Sequence, residues 1–212
     1  MSLNVTGNTT KTARTRQRIM EKSFELFAER GIEAVTVPEL AKAAEVDRSL
    51  VYIYFPSKLD LAIAISGHVW KEFNQPHYER DGIGTQTAAE RYEFWLDSFL
   101  ELWHEHRDIL RFNQFFNVFV MNEEISSERM EPYTSVIEEL EKRFHGVYEQ
   151  AKQDGTLRTD IPEQKIFSTT LHLMLAAATR YAVGLIYQGG EPEAELKALK
   201  EMLMQRYTVT GE

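Results

Sequence analysis

Apolar residues recur at intervals of three and four along almost the whole chain, the spacing that places them on one face of an α-helix. Met20, Phe24 and Phe27, flanked by Ile19 and Leu26, outline a first helix that stops at Gly31. A second, short helix follows Thr36-Val37-Pro38-Glu39, a capping box with proline in the first turn, and turns Leu40, Ala41 and Ala44 inward. Glu45-Val46 is long enough only for a tight turn, and Asp47 stands as the next N-cap. Leu61, Ile65, Val69 and Phe73 mark a fourth helix, expected to end at Pro76. Thr87-Ala88-Ala89-Glu90 caps a fifth that carries Tyr92, Trp95, Leu96, Phe99, Leu102 and Trp103 on one face. A sixth starts at Asp108 with a broad arc of Ile109, Phe112, Phe116, Phe119 and Val120. A seventh, with Pro132 near its start, repeats Tyr133, Ile137, Leu140, Phe144, Val147 and Ala151 up to Asp154-Gly155. An eighth, capped by residues 160–163, is apolar nearly all round, so it needs cover on both sides. The last, from about Glu193 and after the glycine pair 189–190, shows Leu196, Leu199 and Leu203 as a single stripe. The pattern predicts an all-α chain of about nine helices with no strands and no internal repeat.

One stretch resists that pattern. In DRSLVYIYFPSK, residues 47–58, the centre is β-branched and aromatic and by propensity alone reads as a strand. A lone strand would leave its backbone groups unpaired, whereas a third short helix closes a helix-turn-helix behind the longer first helix. Read so, Val51 and Phe55 meet Leu40 and Val46 in a small core, and Arg48, Ser49, Tyr52 and Tyr54 face outward.

Composition narrows the class. None of the 212 residues is cysteine, which excludes disulfides and thiolate metal sites and suits a reducing cytoplasm. Residues 1–12 form a polar tail with no apolar core of the signal-peptide kind, and Asn4 and Asn8 match the glycosylation pattern only by chance in such a tail. The most apolar run, residues 171–187, is broken by His172 and Arg180 and falls short of a membrane span, so no membrane is expected as a partner. The formal net charge is −9, but it is unevenly placed. Residues 1–60 hold nine Lys/Arg against eight acids, leaving 15 basic and 25 acidic side chains for the rest of the chain's 24 and 33. A weakly basic head on an acidic body suits a nucleic-acid reader joined to something else.

The segments IMEKSFELFAERG, TVPELAKAAEV and DRSLVYIYFPSKLDL together resemble the N-terminal domain of the TetR family of bacterial transcriptional repressors, over roughly the first third of the chain. The resemblance implies a three-helix DNA-binding domain over residues 13–56 and a larger helical ligand-binding and dimerisation domain over residues 57–212. It implies a homodimer through the last two helices that binds a palindromic operator and is released by a small-molecule effector. It places Arg48, Ser49 and Leu50 against bases, Tyr52, Tyr54 and Lys58 against phosphates, and Thr36 against a further phosphate. The chemistry agrees: Arg pairs bidentately with guanine, and hydroxyl, ammonium and backbone N–H groups hold phosphate oxygens. Two positions depart from the family pattern. Glu45 stands where the turn usually carries glycine, and Asp47 where the third helix usually opens with serine.

Other chemistry finds less support. His104 and His106, two apart on a helix, point to different sides. Glu101-x-x-His104 has the spacing of a di-iron carboxylate motif but lacks a second copy, so neither a metal nor a cofactor is expected. No nucleophile elbow, phosphate loop or dinucleotide fingerprint occurs, and no enzymatic activity is expected. The aromatic helices admit two readings, a filled core or a pocket for a small hydrophobic or aromatic effector, lined by Trp95, Phe99, Trp103, Phe112, Asn113, Phe116, Asn117 and His172. The rival to a regulator is a helical-bundle ligand-binding protein or enzyme without a DNA-binding role.

Overall fold

The computed structural model describes residues 11–82, 86–121, 123–184 and 190–209. The predicted tail therefore lies outside the described residues up to position 10, as do the end of the apolar run at 185–187 and the first glycine of the pair 189–190. Among the described residues there are nine helices and no strand: α1 (Lys11–Arg30), α2 (Val37–Ala43), α3 (Arg48–Tyr54), α4 (Lys58–Arg80), α5 (Ala88–Glu105), α6 (Arg107–Val120), α7 (Ser127–Asp154), α8 (Glu163–Ala182) and α9 (Pro192–Tyr207). None of them singly is long and apolar enough to cross a membrane.

The chain folds as two compact units. The first takes Met1–Lys71 and Arg111–Ser135, the second Glu72–Leu110 and Val136–Glu212. The packing division thus differs from a cut at residue 56, because the first half of α4 and residues 111–135 belong with the head. Helices α4, α6 and α7 each begin in one unit and end in the other.

In unit 1 the predicted stripe of α1 is buried, with Ile19 and Phe27 wholly so. The rings of Phe112 and Phe116 from α6 join it: Phe112 meets Phe24 edge-on at 5.5 Å and Phe27 at 6.5 Å, and Phe116 lies 5.9 Å from Phe112 and 5.4 Å from Tyr133. The tightest approach is at Gly67 of α4, where a Cβ would stand 2.0 Å from the carbonyl oxygen of Pro132 in α7. Only glycine lets the two backbones come so close. Arg129, in the first turn of α7, closes the same seam by pairing with Asp60 at 2.8 Å and donating to Ser57.

In unit 2, α5, α8 and α9 pack mutually around Tyr92, Leu96, Ile166 and Met174, all wholly buried. Each such side chain contributes about 1.5–3 kcal/mol by leaving water. Tyr92 does so without stranding its hydroxyl, which shares a 2.7 Å hydrogen bond with Thr170. The N-terminus of α5 is held twice. Glu90 accepts from the Thr87 N–H at 2.7 Å, as the capping box predicts, while Asp154 at the end of α7 accepts from the Ala88 N–H at 2.8 Å. Beyond α9 the chain makes one isolated antiparallel bridge between Leu157 and Thr208.

Two expectations give way. Pro76 does not end α4, which continues to Arg80 with the proline inside it. The ring removes one N–H from the ladder, but the turns on either side keep the helix together. Helix α8 is not covered all round within one chain, since His172, Leu173, Ala176 and Arg180 are exposed along one side.

Candidate functional site

Helix α3 is only seven residues long and cannot persist by itself. Two features hold it. Asp47 caps its start, accepting from the Ser49 N–H at 2.8 Å and from the Ser49 hydroxyl at 2.6 Å, and these bonds lower the Asp47 pKa. Val51 and Phe55 are buried, as are Leu40 and Ala44, and α3 packs against α2. The turn before it carries Glu45 at φ 52°, the one positive φ outside glycine among the described residues, which is why a glycine suits this position.

With that face buried, the opposite face of α3 presents Arg48, Ser49, Tyr52 and Ile53 to solvent, while Leu50 and Tyr54 are half-buried. Arg48 turns back over the Tyr52 ring, 5.6 Å from its centroid. Ile53 is 73% exposed, the most exposed large apolar side chain of the chain's described residues. Sequence reasoning passed over it because an isoleucine in a helix is ordinarily assigned to the core.

Two residues expected against phosphates, Lys58 and Thr36, and one expected against bases, Ser49, have partners within the chain. The Lys58 ammonium turns inward: it donates to the carbonyls of Ile32 at 2.8 Å, Val35 at 3.2 Å and Glu33 at 3.3 Å, and burial pushes its pKa down. With three donors and three acceptors it is a clasp on the loop between α1 and α2. Thr36 gives both its N–H and its hydroxyl to Glu39, at 2.8 and 2.7 Å. Those bonds, with Arg30 at 2.8 Å, hold the Glu39 carboxyl down to about 2. Ser49 has its proton on Asp47, which leaves it as an acceptor toward any base.

The eight expected pocket residues are divided between the two units. Phe112, Asn113 and Phe116 are buried in unit 1, where the rings complete the head's core, and Asn117 of the same unit is exposed. Phe99 and Trp103 are buried in unit 2, and His172 is exposed on α8. Of the eight, Trp95 lines a cavity. That cavity lies within unit 2, has a volume of about 50 Å³ and is walled by the second half of α4, by α5 and by α7. Its apolar side is made by Tyr92, Phe94, Trp95, Leu140 and Phe144. Its polar side comes from Asn74, His77, Tyr78, Ser98, Arg143 and an ion pair in which Arg91 donates to Asp81 at 2.8 Å from both Nε and Nη2. A part-buried ion pair is supported by further hydrogen bonds, and here Gln150 accepts a third from Arg91 at 2.9 Å. Elsewhere, Glu101 pairs with His77 and Arg80, and among the described residues no group of three or more His, Cys, Asp or Glu is placed to hold a metal ion.

Comparison with known proteins decides the family. Residues 19–65, which run from α1 through the first turns of α4, match the family described as bacterial regulatory proteins, tetR family. The chain's head is that of the tetR family. Among relatives, it is 28% identical over 128 residues to the uncharacterized HTH-type transcriptional regulator YuxN of Bacillus subtilis (strain 168), a match covering 59% of this chain and 39% of that one. The matched part of the chain spans less than half the length of each of the curated relatives. The fold is shared more widely. A transcriptional regulator from Saccharomonospora viridis in complex with choline superposes with a TM-score of 0.77 at 15% identity, over 93% of this chain and 99% of that one. The regulator FadR from Bacillus subtilis in complex with stearoyl-CoA does so with a TM-score of 0.71 at 18% identity, over 89% and 97%.

The sequence signal placed Arg48, Ser49 and Tyr52 on the exposed face of α3 but did not find the cavity. Asn74, His77 and Tyr78 went unseen because Pro76 was taken as the end of α4. Their spacing of three and four does hold the signal: it puts all three on one side of a helix that continues through the proline.

Proposed function

We propose that this chain is a ligand-responsive, DNA-binding transcription regulator that works in the cytoplasm as a homodimer, and that it is a repressor rather than an enzyme. The observation that carries this reading is α3: a helix too short to stand alone, docked by Val51 and Phe55 and capped by Asp47, with Arg48, Tyr52 and Ile53 turned to solvent. Such a face supplies a bidentate donor for guanine, a phenol for phosphate and an apolar group for a thymine methyl. In a dimer, two copies would read half-sites about one helical turn, ~34 Å, apart or a multiple of it. The open face of α8, with Leu173 and Ala176, and Ala198 and Met202 on α9 supports pairing through these two helices.

The cavity in unit 2 is the proposed effector site. Helix α4 supports a route from it to the head, since one unbroken helix carries Lys58 in unit 1 and Asn74 to Tyr78 at the cavity. An effector that prefers one conformer would shift DNA affinity by a coupling on the order of 1–3 kcal/mol. The test is selection of bound DNA from a random pool by the full chain. A recovered pseudo-palindrome is expected. Arg48→Ala then costs about 1–3 kcal/mol and relaxes preference at one position of each half-site. Failure to enrich any sequence refutes the reading.

A further inference from the structure

Asn74 and Tyr78 stand one turn apart on α4, both line the cavity, and both carry a buried polar atom without a partner: the amide nitrogen of Asn74 and the hydroxyl of Tyr78. Asn74 is only 7% exposed, and burial pushes the Tyr78 phenol up to about 12, so at neutral pH it keeps its proton. A stranded buried donor destabilises the folded chain, and leucine and phenylalanine would fill the same positions without that cost. Two such donors on one cavity wall ask for an explanation other than packing.

The other polar groups of the cavity show what is missing. Ser98 donates to the Trp95 carbonyl at 2.6 Å, and His77 faces the Phe73 carbonyl at 2.9 Å and Glu101 at 3.3 Å. Arg143 holds Glu139 at 2.9 Å and covers the Tyr78 ring at 3.9 Å, and Asp81 is taken by Arg91. Among the described residues the cavity wall has two buried polar atoms without a partner, the Asn74 amide nitrogen, which only donates, and the Tyr78 hydroxyl, which keeps its proton to donate. A ligand ammonium would find no counter-charge there that is not already paired. A carbonyl or carboxylate oxygen, with two lone pairs, would satisfy both donors at once.

We propose that the cavity selects small apolar molecules that present a carbonyl or carboxylate oxygen, held by the Asn74 amide and the Tyr78 hydroxyl with the apolar body against Trp95, Phe94 and Phe144. The proposal rests on the reading of this cavity as the effector site. A volume of about 50 Å³ accommodates the head of such a molecule, and the half-exposed Phe94 and Arg143 form the rim through which its body extends.

The experiment uses the full chain and four single-ring probes of similar shape, benzoate, acetophenone, benzylamine and toluene, followed by saturation-transfer NMR and calorimetry. Benzoate or acetophenone is expected to bind saturably, the pair showing whether charge or a neutral carbonyl is preferred, with benzylamine and toluene weaker by about tenfold or more. Tyr78→Phe and Asn74→Leu are each expected to weaken the acceptor probe about fivefold or more while melting no lower than the parent chain. Equal binding of benzylamine or toluene, unchanged affinity in both variants, or no binding by any probe overturns the proposal. The DNA selection is a separate readout: a chain that takes the acceptor probes but enriches no DNA keeps this site and loses the regulatory reading.

Discussion

The surroundings of α3 in unit 1 and the cavity of unit 2 treat their polar groups in opposite ways. In unit 1 the side chains around α3 are engaged with near neighbours in sequence or with one loop: Asp47 with Ser49, Thr36 with Glu39, and Lys58 with three carbonyls of residues 32–35. What is left outward is a small set, Arg48, Tyr52 and Ile53. In unit 2 the polar groups at the cavity come from α4, α5 and α7, and two of them remain without partners. A surface that must present a fixed pattern to a large partner gains from committed, local hydrogen bonds. A site that must respond to a small molecule keeps groups whose partners arrive with it, at some cost in stability of the empty form.

Substitutions can test that contrast, starting with the most damaging. Arg91→Met strands Asp81 in a buried setting and is expected to destabilise unit 2 by about 3–5 kcal/mol. Chemical denaturation followed by tryptophan fluorescence measures it, and a loss under 1 kcal/mol would show that the pair is solvated after all. Gly67→Ala drives a Cβ onto the Pro132 carbonyl, so α4 and α7 must part within unit 1; a loss of about 3 kcal/mol is expected, read from the same denaturation curves. Lys58→Met keeps the stem but removes the clasp on residues 32–35. It should cost about 1–3 kcal/mol and weaken DNA binding through the head's stability. The salt dependence of binding separates the two roles: an unchanged slope supports the clasp, and a slope reduced by about one supports a phosphate contact. Glu45→Gly relieves the positive φ in the turn and is expected to stabilise the head by about 1 kcal/mol, seen as a higher denaturation midpoint.

Much of unit 1 was legible in the chain because its determinants lie close together in sequence. The stop at Gly31, the cap at Asp47, the inward pair Val51 and Phe55 and the strained turn at Glu45 each need no more than a few neighbouring residues to be read. Even there, long-range packing reassigned Lys58, whose carbonyl partners are 23 to 26 residues away. It also brought Phe112 and Phe116 of α6 onto the rings of α1 and α7 in the head's core.

Residue type and spacing by themselves determined that the chain is helical, where most helices begin, and which face of α3 is turned to solvent. These follow from backbone geometry and from burial of one stripe per helix, which act over a turn or two. Only the tertiary structure decided that α4 runs on through Pro76, that Asn74 and Tyr78 meet α5 and α7 around a cavity, and that their donors find nothing there. Whether a polar side chain is satisfied depends on atoms brought from distant parts of the chain, so no local pattern records it.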